Sequence, residues 1–106
     1  MPASAPDPAL DVLLALSDRP TTVRLTYKPR KQGRQSRMVH VWHEVGRSRD
    51  DERDRWTEWD YWAASTEGPS FSAAHFIVRS SGPTPTAALR QLCRYYHWRL
   101  LSIGTT

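Results

Sequence analysis

Arg24, Lys28, Arg30, Lys31, Arg34 and Arg37 place six positive charges within fourteen residues. Between Arg19 and His43 the chain has seven basic residues and no acid. Such clustering is the footprint expected of a surface that docks phosphates or an acidic protein. Exposed pairing with a neighbouring acidic loop contributes only about 0–1 kcal/mol per pair, too little to account for it. The loop that follows Lys28 carries no interleaved aromatics, so electrostatic docking is expected rather than sequence-specific base readout. A second acid-free stretch, residues 68–106, adds Arg79, Arg90, Arg94 and Arg99. The docking residues expected from sequence are therefore Lys28, Arg30, Lys31, Arg34 and Arg37, joined by Arg90, Arg94 and Trp98.

Other chemistry is weakly supported. His40 and His43 lie three apart, and on a strand an odd offset sends them to opposite faces. Glu44 follows directly, but a metal needs three or four convergent ligands, and His75 and His97 are distant in sequence. Cys93 falls among the apolar positions of the last helix, where cysteine behaves as a small hydrophobe. Arg90 and Arg94 could activate it only if the thiol reached solvent. Glu58 and Asp60 share a strand face, a spacing that acid–base pairs can use and that a solvated outer face also explains. Phosphate-loop, dinucleotide and zinc-protease signatures are missing. No catalytic residue, metal or cofactor is expected, and the chain reads as a non-enzyme.

At 106 residues, with 39% hydrophobic content and a mean hydropathy of −0.65, the chain has room for one domain and one core. Five Trp and four Tyr supplement a short supply of aliphatic residues. The longest apolar run, Leu10 to Leu16, is interrupted by Asp11 and falls far short of a membrane span. The N-terminus has neither a basic start nor a signal-peptide core. A single cysteine excludes an intrachain disulfide and fits a cytoplasmic setting.

The elements expected to carry these residues form an α+β domain over residues 7–106, with residues 1–6 as a flexible lead-in. Asp7-Pro8 caps a helix over about residues 8–17, with Leu10, Leu13 and Leu14 inward, and Pro20 stops it. Thr22 to Lys28 alternates as a half-buried strand, with Val23, Leu25 and Tyr27 on one face. A loop over Pro29–Ser36, with Gly33 at its turn, leads to a return strand, Met38 to Val45. Its residues Val39, Val41 and Val45 share a face with His43. Gly46 to Arg55 reads as a solvated charged loop. A third strand covers Trp56 to Ala64, with Trp59 inward and in the core. A fourth covers His75 to Ser80, with Phe76 and Val78 inward.

Thr84-Pro85 opens a final helix running to about Leu101, with Ala88, Leu89, Leu92, Cys93, Tyr96 and Leu100 on its stripe. Trp42, Trp56, Trp62 and Trp98 remain divided between core filling and a binding or base-stacking role. The architecture is αββββα, with an antiparallel four-stranded sheet and helices on one or both faces.

The first helix Ala9-Leu-Asp-Val-Leu-Leu-Ala-Leu, the strand Met38 to Val45, and the closing Gly82-Pro-Thr-Pro-Thr-Ala-Ala-Leu-Arg-Gln-Leu-Cys93 resemble the phage ABA sandwich domain, a family of small phage-encoded proteins. The resemblance covers about a third of the chain. The basic hairpin and Arg94-Tyr-Tyr-His-Trp-Arg99 depart from it. It implies an origin in a phage or mobile element and action in the bacterial cytoplasm. It supplies no catalytic residues. With small size and segregated charge, it points to a non-enzymatic inhibitor of a bacterial defence complex such as a CRISPR effector. Such an inhibitor would occlude a bacterial protein or nucleoprotein complex, as monomer or homodimer. The alternative is an accessory DNA- or RNA-binding protein that contacts phosphates through the hairpin and the arginines of the last helix.

Overall fold

The computed structural model describes residues 8–16, 19–67 and 79–105. It is an α+β domain built on an antiparallel sheet, with the element order α1 (Pro8–Ala15), β1 (Thr21–Lys28), β2 (Gln35–Asp50), β3 (Arg55–Ser65), β4 (Ser80–Gly82), α2 (Pro85–Tyr96) and β5 (Arg99–Thr105). The sheet has five strands in the order β4-β3-β2-β1-β5, where four were expected. The expected lead-in over 1–6 and most of the expected strand His75 to Ser80 lie outside the described residues.

The fifth strand arises because the last helix ends early. Its start follows the sequence: the Thr84 hydroxyl accepts the Ala87 amide at 3.2 Å, and Pro85 occupies the first turn. The Asp11 carboxylate, reaching across from α1, accepts the Thr86 amide at 2.9 Å. A second orphan donor is thus satisfied, and the two helices are joined. Gly82 permits this junction, since a Cβ there would lie 2.9 Å from both the Ala87 Cβ and the Ala88 amide nitrogen.

The helix stops at His97, whose backbone is left-handed (φ 59°, ψ 36°). The His97 amide bonds to the Arg94 carbonyl and the Trp98 amide to the Cys93 carbonyl, the paired bonds of a Schellman cap. Glycine usually fills this place, and histidine is among the few other residues that tolerate it. With no glycine to mark it, the stop is invisible to a periodicity reading. Beyond it the chain runs back along β1 as an edge strand, pairing Leu25 with Ile103 and Lys28 with Arg99, with a bulge at the Thr26–Tyr27 step.

Val23, Leu25 and Tyr27 of β1, Val39 and Val41 of β2, Ala64 of β3 and Leu100 of β5 form one face of the core. Leu10 and Leu14 of α1, with Ala88, Leu89, Leu92 and Cys93 of α2, form the other. Both described helices therefore cover the same face of the sheet.

The residues expected to be a charged loop instead extend a hairpin. β2 and β3 stay paired from His40–Ser65 out to Asp50–Arg55, with a turn over residues 51–54. Pairing with β1 stops at Val41 and with β4 at Trp62, so residues 44–61 form a two-stranded ribbon with no third strand among the described residues. Trp59 lies on this ribbon, 37% exposed, which corrects its expected place in the core. Its indole covers Gly46, directly opposite on β2; a Cβ there would sit 2.4 Å from the ring. Val45 shares the face of Val39 and Val41 as expected, but it stands beyond the helices and is exposed.

Candidate anion-binding groove

Lys28 ends β1, Pro29 and Arg30 begin the hairpin loop, Arg94 lies in the last turn of α2, and Trp98 and Arg99 lead into β5. The β1–β5 pairing and the early helix stop bring these segments together at one corner of the sheet. Lys28, Pro29, Arg30, Arg94, His97, Trp98 and Arg99 line an open groove of about 480 Å³ there. Four permanent cations and a histidine converge on it, and among the described residues no carboxylate lines it.

Trp98 builds the wall. Its ring stacks on Tyr27 at 4.0 Å and on Tyr96 at 4.5 Å, with interplanar angles of 18° in both cases. Both aromatic faces are thus occupied by the protein, and the indole has no face left to stack a nucleobase. Offset stacks of this kind add about 0.5–1.5 kcal/mol each beyond area burial. Trp98 lines the groove beside Arg94 and Arg99, and its stack anchors the chain at the point where Arg99 follows. The Schellman cap also matters electrostatically. It occupies the Cys93 and Arg94 carbonyls, so the negative end of α2 is partly masked beside the cations.

Of the docking residues expected from sequence, Lys28, Arg30, Arg94 and Trp98 meet at the groove. Lys31, Arg34 and Arg37 are exposed on the hairpin and the start of β2 but do not line it. Lys31 sits in the left-handed region (φ 58°) at the tip. Arg90 is half-buried on α2 and is also away from the groove. Lys28, Arg30, Lys31, Arg34, Arg37, Arg94 and Arg99 make no ion pair with any carboxylate among the described residues. Pro29, His97 and Arg99 also line the groove without being among the docking residues expected from sequence. A helix to about Leu101 hides the turn at His97 that sets Arg99 beside Lys28, and no glycine marks it.

The remaining candidates find other partners. His43 Nε2 lies 2.5 Å from an Asp60 carboxylate oxygen, and the imidazole stacks on Trp62. His40 faces the other way, 3.5 Å from the Thr22 hydroxyl. Glu44 accepts from the Trp42 indole at 2.6 Å and from Arg79 at 3.3 Å. Among the described residues no three histidine, cysteine or acidic side chains come together as metal ligands. Burial pushes the Cys93 thiol up to about 11, the reverse of what a nucleophile needs. No described helix is long and apolar enough to cross a membrane.

No protein-family model matches the chain, and neither does any curated protein or solved structure.

Proposed function

We propose that this chain is a non-enzymatic binding protein that docks a polyanion, nucleic-acid phosphate above all, in the groove between the hairpin and the end of α2. The observation that carries this reading is the convergence of Lys28, Arg30, Arg94 and Arg99 on one acid-free groove. Like charges held side by side cost folding free energy, and an anionic partner relieves it. Phosphates suit the lining, because three of the four cations are arginines, whose planar fork matches phosphate oxygens. With both faces of Trp98 taken, recognition is of charge and not of base.

A second reading is supported by the segregation of charge along the molecule. The β2–β3 ribbon bears seven acids and four bases over residues 44–61 and exposes Trp56, while the groove end is wholly basic. A molecule with two such ends suits an inhibitor of phage type that seats its basic end on a bacterial nucleoprotein complex and occludes it with the rest.

The test is binding of labelled DNA and RNA between low and moderate salt, with the wild type and with Lys28→Glu/Arg94→Glu/Arg99→Glu. The wild type is expected to bind, with affinity falling steeply as salt rises. The triple variant should lose about a thousandfold, at about tenfold per charged contact. Absence of wild-type binding at low salt sinks the nucleic-acid reading. Saturable binding to an acidic bacterial protein complex would then favour the inhibitor.

A further inference from the structure

The groove does not end at its corner. In an antiparallel sheet, residues directly opposite one another point to the same face, so the β1–β5 and β1–β2 registers define what covers the face away from the helices. Thr22, Arg24, Thr26 and Lys28 of β1 stand there. Gly104, Ser102 and Arg99 of β5 flank them on one side, and Met38 and Ser36 of β2 on the other. Arg24, Lys28, Ser36, Arg99 and Ser102 are exposed. Lys28 and Arg99 belong to both this face and the groove. Neither β1, β5 nor β2 up to His43 contains an acid, so the two acid-free stretches of sequence lie side by side as adjacent strands. Glu44 is the first acid on this face of β2, and it is held by Trp42 and Arg79.

We infer that this helix-free face continues the groove as a track for the backbone of single-stranded nucleic acid, entering over Arg24 and ending among Lys28, Arg99, Arg30 and Arg94. The inference rests on the groove binding phosphate. The cations stand in single file: Arg24 and Lys28 are four residues apart on one strand, about 13 Å. Only small hydroxyl residues lie between them, and Gly104 leaves the surface beside Arg24 low. One file of charge fits one phosphate chain, whereas a duplex presents two across its groove. The hydroxyls of Thr26 and Ser36, 3.2 Å apart, and of Ser102 are donors for phosphate oxygens along the way. Among the described residues no Trp, Tyr or Phe stands on this part of the face, so the track is indifferent to base identity. Ribose and deoxyribose chains share this backbone chemistry.

The test compares oligo-dT and oligo-U of about four and about fifteen nucleotides, lengths that bracket common single-strand site sizes. Arg24→Ala should weaken the long oligomers about tenfold and lower their salt slope by about 0.7, leaving the short ones unchanged. Ser102→Lys, which adds a cation midway along the file, should tighten the long oligomers about threefold. An Arg24→Ala variant that binds long oligomers like the wild type overturns the track but leaves the groove standing, provided Lys28→Glu/Arg94→Glu/Arg99→Glu abolishes binding of both lengths. A duplex of the same length that binds as tightly as the single strand overturns the single-strand assignment. An acidic peptide that binds where neither oligomer does overturns the groove reading with it. A difference between oligo-dT and oligo-U of less than about threefold supports shared backbone recognition, and a larger one refutes it.

Discussion

The two ends of β2 treat charge in opposite ways. At the ribbon end most charges find a partner within the chain. Arg49 reaches Asp54 at 2.5 Å and Asp51 at 3.6 Å, Arg53 reaches Asp50 at 3.7 Å, and Asp60 meets His43. The Arg47 guanidinium lies 4.7 Å from the centre of the Trp56 ring. At the hairpin end, Lys28, Arg30, Arg94 and Arg99 share a groove that no carboxylate lines among the described residues. A two-stranded ribbon is only marginally stable in water; the Trp59 ring packed over Gly46 supports this one, and the exposed charge pairs add little. Charge at the ribbon end is answered within the chain, whereas the four cations of the groove meet no carboxylate among the described residues.

The largest expected effect separates wall from charge. Trp98→Ala removes the middle ring of the Tyr27–Trp98–Tyr96 stack and should cost about 3 kcal/mol in denaturant unfolding. Because Trp98 also lines the groove beside Arg94 and Arg99, affinity for oligonucleotides should fall as well, by about tenfold or more. Trp98→Phe, which keeps a ring in the stack, should recover most of both. If Trp98→Ala destabilised the fold yet bound normally, the groove would owe nothing to its aromatic wall.

Gly46→Ala should act at the other end. The new Cβ collides with the Trp59 ring, which must swing off β2, at a cost of about 1–3 kcal/mol for overpacking. The loss should be confined to residues 44–61. Hydrogen exchange there should accelerate and Trp59 fluorescence should shift, while the core amides of Val23, Leu25, Val39 and Val41 remain protected. Oligonucleotide affinity should be unchanged. A drop in affinity would mean that the ribbon, and not only the groove, contacts the ligand.

How far each end was legible in the sequence follows from what kind of interaction builds it. The basic cluster from Arg24 to Arg37, the start of α2 at Thr84-Pro85 and the alternating β1 are local signals, and each lies where the sequence puts it. The helix stop at His97 depends on a backbone conformation that histidine adopts only sparsely, so β5 and with it Arg99 were hidden inside an apparent helix. The ribbon was hidden for the opposite reason. Its interleaved charges look like a solvated loop when read along the chain, and they pair only across strands and around the turn. Trp59 was expected inward, but Ala64 and Trp62 are the β3 residues that meet the core, so Trp59, an odd number of positions from Ala64, stands on the opposite face over Gly46. The meeting of Lys28 and Arg30 with Arg94 and Trp98 was expected as a question, and its answer required the unforeseen strand that docks beside β1.

The sharpest form of the comparison uses two single substitutions of the same kind. Arg49→Ala removes a half-exposed side chain with two carboxylate partners, and Arg94→Ala removes an exposed one with none among the described residues. Exposed ion pairs are screened by solvent and contribute little, so Arg49→Ala should lower unfolding free energy by at most about 0.5 kcal/mol, an effect that shrinks further with added salt. Its binding curve should overlay the wild type. Arg94→Ala should leave stability unchanged or raise it slightly, because it relieves repulsion from Lys28, Arg30 and Arg99. It should also weaken oligonucleotide binding about tenfold. Raising the salt should narrow the affinity gap between Arg94→Ala and the wild type, since the lost contact is one that counterions compete for. Were Arg94→Ala instead to destabilise the fold while binding normally, the cations of the groove would be structural like those of the ribbon, and the contrast between the two ends would collapse.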